Sequence, residues 1–376
     1  MPLVIDIHAL QTLPPSNVNR DDTGAPKSAV FGGAPRQRVS SQSWKRAVRR
    51  DFEDKLPAGT VGYRTKRVAR LIADKILELT EAEGSRWNES KAEAASKALF
   101  AATKIKLTEV KATDEENRRA DEAGYLLFLS PQQIDNAARA LVTSDGAKPS
   151  KKEADGLLNS EHSIDIAMFG RMVTDDPTFN VDASVQVAHA IGIHESEPEF
   201  DYFTAVDDVV EDNEETGAAM IGTVQMMSST LYRFATIDVE SLKENLGDAG
   251  AAEAAIAAFI DSFVTSMPTG KQNTYANNTL PELVYVAVRD TRSISLVNAF
   301  EEPVKADDSS SRRRKGAERL AEEATQVQED YGFVPTASFV VGLGGMASPF
   351  EAIATQVKLP ELAERVIAEL GKEVAE

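Results

Sequence analysis

The alternation Leu3-Val-Ile-Asp-Ile-His-Ala-Leu10 predicts a first β-strand, since successive side chains exchange faces. Turn-forming residues follow and read as one long loop to about Val39. The period then changes. Trp44, Ala47, Val48, Phe52 and Leu56 recur three and four apart, which predicts an amphipathic helix opening near Ser40. Further helices are predicted over 63–80, 87–103, 131–142 with Pro131 at its start, 250–266, 317–330 and 360–372. Strand-like runs occupy 163–169, 183–194, 221–237 and 283–300, the last interrupted near Asp290, and Tyr125 to Leu129 forms a short apolar run. Residues 143–160 are polar and read as a loop, and KADDSSSRRRKG (305–316) reads as a flexible connection. Strands separated by helices, with a helical insertion at roughly 60–160, predict an α+β fold around an antiparallel sheet, with no internal repeat.

Composition narrows the class. A chain of 376 residues with 42% hydrophobic content can build two compact units or one elaborated core. No apolar run approaches a membrane span, and MPLVIDIHALQ lacks the pattern of a secretory signal, so a cytoplasmic location is expected. The absence of cysteine excludes disulfides and thiolate metal sites. A net charge of −19 would ordinarily argue against a nucleic-acid partner. The charge is segregated, however: Asp201 to Glu215 holds seven carboxylates and the C-terminal third is Glu-rich. Screening over about 8–10 Å lets a basic patch elsewhere act on its own.

Such a patch exists. From Lys27 to Arg70, twelve basic residues face only Asp51, Glu53 and Asp54. A turn-rich loop carries Arg20 and Lys27, then Ser40-Ser41-Gln42-Ser43 opens a helix bearing Lys45, Arg46, Arg49 and Arg50. A serine at a helix start caps the first amides, and those amides with the helix dipole attract anions. Lys45 and Arg49 stack four apart, as do Arg46 and Arg50. The Phe31-Gly32-Gly33 step would let backbone approach a ligand. A charged helix is ordinarily a solvated face. Clustered positive charge beside a capped start instead favours a phosphate grip.

Other candidates carry less by themselves. Tyr202-Phe203 are ordinary strand aromatics, Met172 an ordinary core residue, and Lys271-Gln272-Asn273 a polar surface loop. Lys148, Lys151 and Lys152 are ordinary solvated lysines. His189 and His194 fall on opposite faces of a strand, and with His8 and His162 are expected in core or surface roles rather than as metal ligands. No phosphate-binding Gly-Lys-Ser/Thr loop, nucleophile elbow or His-Glu-x-x-His occurs, and FVVGLGGMASPF lacks dinucleotide spacing, so no cofactor is expected.

The run NRDDTGAPKSAVFGG followed by RVSSQSWKRAVR resembles the start of the CasC family, the CRISPR-RNA-binding backbone subunits of type I-E Cascade. Similar blocks continue in the family's order: SIDIAMFGRMVT, VQVAHAIGIH, DYFTAVDD, YRFATID, LKENLG, GKQNTYA and LVNAFEEPVKA. The resemblance implies a modified ferredoxin-like, RRM-type palm over 1–60 and 161–376, helical fingers over 61–160, and a β-hairpin thumb over 195–224. It implies that crRNA contacts Arg20, Lys27, Ser40, Gln42, Ser43, Lys45, Arg46, Arg49, Arg67, Lys271, Gln272 and Lys305. Tyr202 and Phe203 would head the thumb that kinks the guide, with Met172 at the same kink; stacking on aromatics is worth roughly 1–3 kcal/mol per base and tolerates any sequence. Lys148, Lys151 and Lys152 would guide target DNA by charge. The implied partners are further copies of the chain, the large and small subunits, and the subunits at the guide's two ends, in a prokaryotic complex.

Three functions follow. The leading one is a non-catalytic RNA-binding assembly protein. The second, implied by the likeness to backbone subunits of type III complexes that cleave target RNA with an acidic residue in the loop after the first strand, is a metal-dependent endoribonuclease using Asp21 and Asp22, against which stand turn or inter-subunit polar contacts for that pair. The third is a self-assembling scaffold without RNA.

Overall fold

The alternating N-terminal segment forms the strand Val4–Ser16, but both of its faces are covered. It lies between Leu283–Arg289 and Met220–Asp238, antiparallel to each, so its polar positions must find partners inside the protein. Asp6 pairs with Arg289 at 3.1 Å and accepts from the Ile294 amide at 2.9 Å, and His8 Nδ1 lies 2.9 Å from the Tyr232 hydroxyl. The computed structural model describes residues 3–81, 85–109, 121–205, 220–307 and 310–371.

Two units divide the chain. The first comprises Met1–Asp51, Gln186–Asp238 and Ile256–Glu376. Its strands run in the order Thr355–Gln356, Ala337–Gly342, Leu283–Arg289, Val4–Ser16, Met220–Asp238, Ala190–Gly192, Ala34–Val39 and Ser28–Phe31, antiparallel except at the Ala337–Gly342/Thr355–Gln356 pair. Phe300, Ala317, Leu320 and Ala324 cover one face with Leu10, Tyr232 and Tyr285. The second unit comprises Phe52–Val185 and Val239–Ala255. There the helices Val68–Leu79, Glu89–Phe100 and Pro131–Thr143 bury Val68, Ile72, Ile76, Leu99, Phe100 and Leu141 in a separate core. This is the mixed α+β architecture expected.

Several segments differ from the sequence reading. The loop to Val39 contains a hairpin, Ser28–Phe31 with Ala34–Val39, turned at Gly32 and Gly33. Both glycines have positive φ, 56° and 73°, as a tight hairpin turn requires, so the Phe-Gly-Gly step serves the turn. A Cβ on Gly32 would meet the Glu301 carbonyl oxygen at 1.7 Å, which makes the missing side chain a packing requirement. Residues 164–169 form a helix rather than a strand: Asp165 accepts from the Gly62 amide at 2.8 Å and from the Ser163 hydroxyl at 2.7 Å, fixing the helix start. The polar stretch 143–160 contains the helix Lys151–Leu158, started by a reciprocal Ser150–Glu153 cap. Residues 63–65 pair as a strand ahead of the helix at Val68, and the strand from Leu283 ends at Arg289. The connection at 305–316 passes into a helix at Arg312, capped by Ser311, with 308 and 309 outside the described residues. The strand Glu199–Ala205 pairs with the start of Met220–Asp238. Residues 206–219, which hold most of the acidic run 201–215, lie outside the described residues. No helix among the described residues is long and apolar enough to cross a membrane.

Candidate nucleic-acid interface

Three segments of the first unit meet at a cleft of about 670 Å³. One is the loop Val18–Gly24, the second is the helix Ser41–Lys55 through Ser43, Arg46, Ala47 and Arg50, and the third is Met267–Gly270. The helix turns Trp44, Ala47, Val48 and Phe52 inward, as its period requires, and that rotation decides which cations reach the cleft. Arg46 and Arg50 line it. Lys45 and Arg49 do not; both are half-buried on another face, and burial lowers the Lys45 pKa.

The loop is tied by its own side chains. Asn17 is buried and donates to the carbonyls of Gly24 and Gln225, each at 3.0 Å. Asn19 accepts from the Ser40 amide at 2.8 Å, joining the loop to the helix entrance. The Asp21 carboxylate accepts from the Thr23 hydroxyl at 2.7 Å and from the amides of Thr23 and Ala25 at 2.9 and 3.0 Å. The Thr23 hydroxyl is the main reason its pKa lies below the usual carboxylate value. Asp21 therefore serves a local turn, while Asp22 is exposed at the rim. No group of three or more His, Asp or Glu among the described residues is arranged to hold a metal ion.

At the helix start the Ser40 carbonyl accepts from the amides of Ser43 and Trp44, and the Ser41 amide donates to His189 Nδ1 at 2.9 Å. The pKa of His189 is lowered by burial and then by the charges of Arg38 and Lys27, which favours the neutral ring that accepts from Ser41. Ser40 is buried, Gln42 exposed and Lys27 half-exposed. The opposite wall depends on Gly270, where a Cβ would strike the Val18 carbonyl oxygen at 2.3 Å. Only glycine lets that loop close against the first. Lys271 follows directly with φ 47°, and Gln272 bonds Asn278 at 2.8 Å.

The other predicted residues lie elsewhere. Lys305 is exposed in the first unit, after Val304. Arg67 belongs to the second unit, where Glu122 pairs with it at 3.1 Å. Lys148, Lys151 and Lys152 are exposed there too. Met172, also in the second unit, is 79% exposed, and its neighbours explain how: Arg171 is buried and donates to the carbonyls of Phe179, Phe128 and Leu158 and to Asn159, while the Val173 amide donates to Asn180. On the hairpin, Phe200 and Tyr202 are 71% and 63% exposed on one face, whereas Phe203 lies across from Gly222 with its ring against that glycine.

Sequence reasoning did not single out Asn17, Asn19, Arg38 or Arg171. Asparagines ahead of a turn were the available signal for the first two, and nothing in the sequence marked Arg171 as buried.

The family described as CT1975-like protein matches residues 5–365. Among solved structures, a chain from a "CRISPR RNA-guided surveillance complex, pre-nicking" is 34% identical with a TM-score of 0.82, the match covering 97% of this chain and 99% of that one. A chain from a second CRISPR RNA-guided surveillance complex is 30% identical with a TM-score of 0.74 at the same coverage. No curated protein matches the chain.

Proposed function

Because this chain belongs to the CT1975-like protein family, as its resemblance to the CasC backbone subunits anticipates, we propose that it is a non-catalytic subunit that coats CRISPR guide RNA. The observation that carries the reading is the cleft where Arg20, Ser43, Arg46 and Arg50 gather beside a helix entrance. Cations and first-turn amides grip phosphate without reading bases, which leaves the bases to pair with target DNA. In this reading the first unit supplies an RRM-type palm, the second supplies helical fingers with Lys148, Lys151 and Lys152 toward target DNA, and the strand Glu199–Ala205 with its partner forms a thumb. Exposed Tyr202 and Met172 suit the kinking of a guide, and Phe203 stiffens the hairpin over Gly222. Copies of the chain would assemble along one guide with the other subunits of a prokaryotic, cytoplasmic Cascade. Engagement of the Asp21 carboxylate in its own turn favours this reading over metal-dependent RNA cleavage.

The test is guide-RNA affinity as salt rises. Each phosphate neutralised on a single strand contributes about 0.7 to the log–log slope. Several contacts predict a steep slope, and a slope near zero would overturn the phosphate grip. Oligomers that survive nuclease treatment with no bound RNA would instead establish the scaffold.

A further inference from the structure

Behind the cleft stands a buried cation that does not line it. Arg233 stands on the long strand Met220–Asp238 and is 2% exposed. Its guanidinium carbon lies 3.6 Å from the centre of the Trp44 ring and 4.3 Å from that of Phe263, so it is packed between two aromatic faces. One terminal nitrogen donates to Gln11 Oε1 at 2.6 Å and the other to the Phe263 carbonyl, while Nε has no partner among the described residues. Gln11 in turn donates to the Thr279 carbonyl at 2.7 Å. Among the described residues no carboxylate pairs with this cation; burial lowers its pKa to about 9. A buried charge without a counter-ion is expensive, and a hydrophobic residue would pack the same space at lower cost.

The two rings it touches belong to the two sides of the cleft. Trp44 is on the helix that presents Ser43, Arg46 and Arg50. Phe263 stands near the end of the helix Ala249–Thr265, which leads directly into Met267–Gly270. Trp44 also shares an apolar cluster with Val18 and Met267, both of which line the cleft. We propose that Arg233 is a positioning residue: its guanidinium, clamped between Trp44 and Phe263, fixes the spacing of the cationic helix and the Met267–Lys271 loop for the phosphates of one RNA strand. The inference rests on the RNA-binding reading and specifies what sets the geometry of that site. A planar fork is needed, since only arginine can stack on two rings while donating in two directions.

The test compares the full-length wild type with Arg233→Lys, Gln11→Met and Arg46→Ala, measuring guide-RNA affinity, its salt slope and thermal unfolding. If the wild type binds no RNA, or Arg46→Ala binds as tightly as wild type, the underlying reading fails on its own account. With that reading intact, Arg233→Lys should keep the native circular dichroism at the assay temperature yet bind roughly tenfold more weakly, because loosening a site's support misplaces its contacts. The salt slope should also fall by about 0.7, one phosphate contact. A structural role alone would lower the melting temperature and leave the slope unchanged. Gln11→Met, which removes the acceptor of Arg233 and the donor to Thr279 at nearly constant volume, should move affinity the same way by a few-fold. Native-like Arg233→Lys with wild-type affinity and slope overturns the proposal; so does unaltered binding by Gln11→Met if Arg233→Lys does not fold. Loss of fold in both variants assigns Arg233 to folding and equally overturns it.

Discussion

A cation on a helix can face water, a neighbour or a ligand, and one position along the turn decides which. Lys45 with Arg49 and Arg46 with Arg50 are indistinguishable as four-apart pairs, so the basic helix was legible in the sequence but its working face was not. Burial of Trp44, Ala47 and Val48 sets the rotation and sends Arg46 and Arg50 into the cleft. Arg46→Ala with Arg50→Ala should therefore weaken guide binding by roughly tenfold per residue, about 1.4 kcal/mol each. Lys45→Ala with Arg49→Ala should cost less, and titration of labelled guide against the two double variants measures the difference; the reverse order would overturn the assignment. Arg233 was hidden for a related reason: alternation in a strand marks a polar side chain as outward-facing, whereas this one is buried between two rings. The turn role of Asp21, by contrast, could be read directly from an Asp two residues before Thr and three before Gly.

Among the elements, those with a long period were readable and those fixed by tertiary contacts were not. The helix Ala249–Thr265 and the strand Met220–Asp238 fall within a few residues of expectation because their patterns repeat over many turns or pleats. The six residues Ile164–Phe169 are too short for periodicity to speak, and the bonds from Gly62 and Ser163 to Asp165 settle their helical state. The hairpin Ser28–Val39 was obscured because its two glycines suggested a ligand loop, although Gly-Gly between short β-rich runs is also a hairpin signal. This element yields a paired prediction. Gly33→Ala meets nothing within 4 Å and should cost only about 1 kcal/mol for its positive φ. Gly32→Ala adds a collision with the Glu301 carbonyl oxygen and should cost roughly 2–3 kcal/mol. Thermal unfolding of the two variants distinguishes them; equal losses would show that the close approach is not needed.

At the scale of the whole molecule, a surplus of acid coexists with a local cationic cleft because the two are separated along the chain. The buried centre of the large sheet adds a pH dependence to stability. His8 is held at a pKa of about 3, chiefly by burial and then by the charge of Arg289, against an ordinary value of 6.5. The unfolded chain thus binds this proton more readily than the folded one. The contribution of His8 is complete above about pH 6.5 and is lost at roughly 1.4 kcal/mol per pH unit as pH falls toward 3. Asp6, whose pKa burial raises, works in the opposite sense and softens the decline. Urea midpoints at pH 7 and pH 5 should differ less in His8→Gln than in wild type. An identical difference in both proteins would remove His8 from the account.

In the proposed RNA-coating role, the loop knitted by Asn17, Asn19 and Asp21 would have its shape before any strand arrives. Little chain freezing then remains to be done on capture, and the favourable entropy of displaced counterions is not spent on ordering the protein. If copies of the chain coat guide RNA as proposed, each should load at a pace governed by diffusion and long-range attraction, finding a mould already cast.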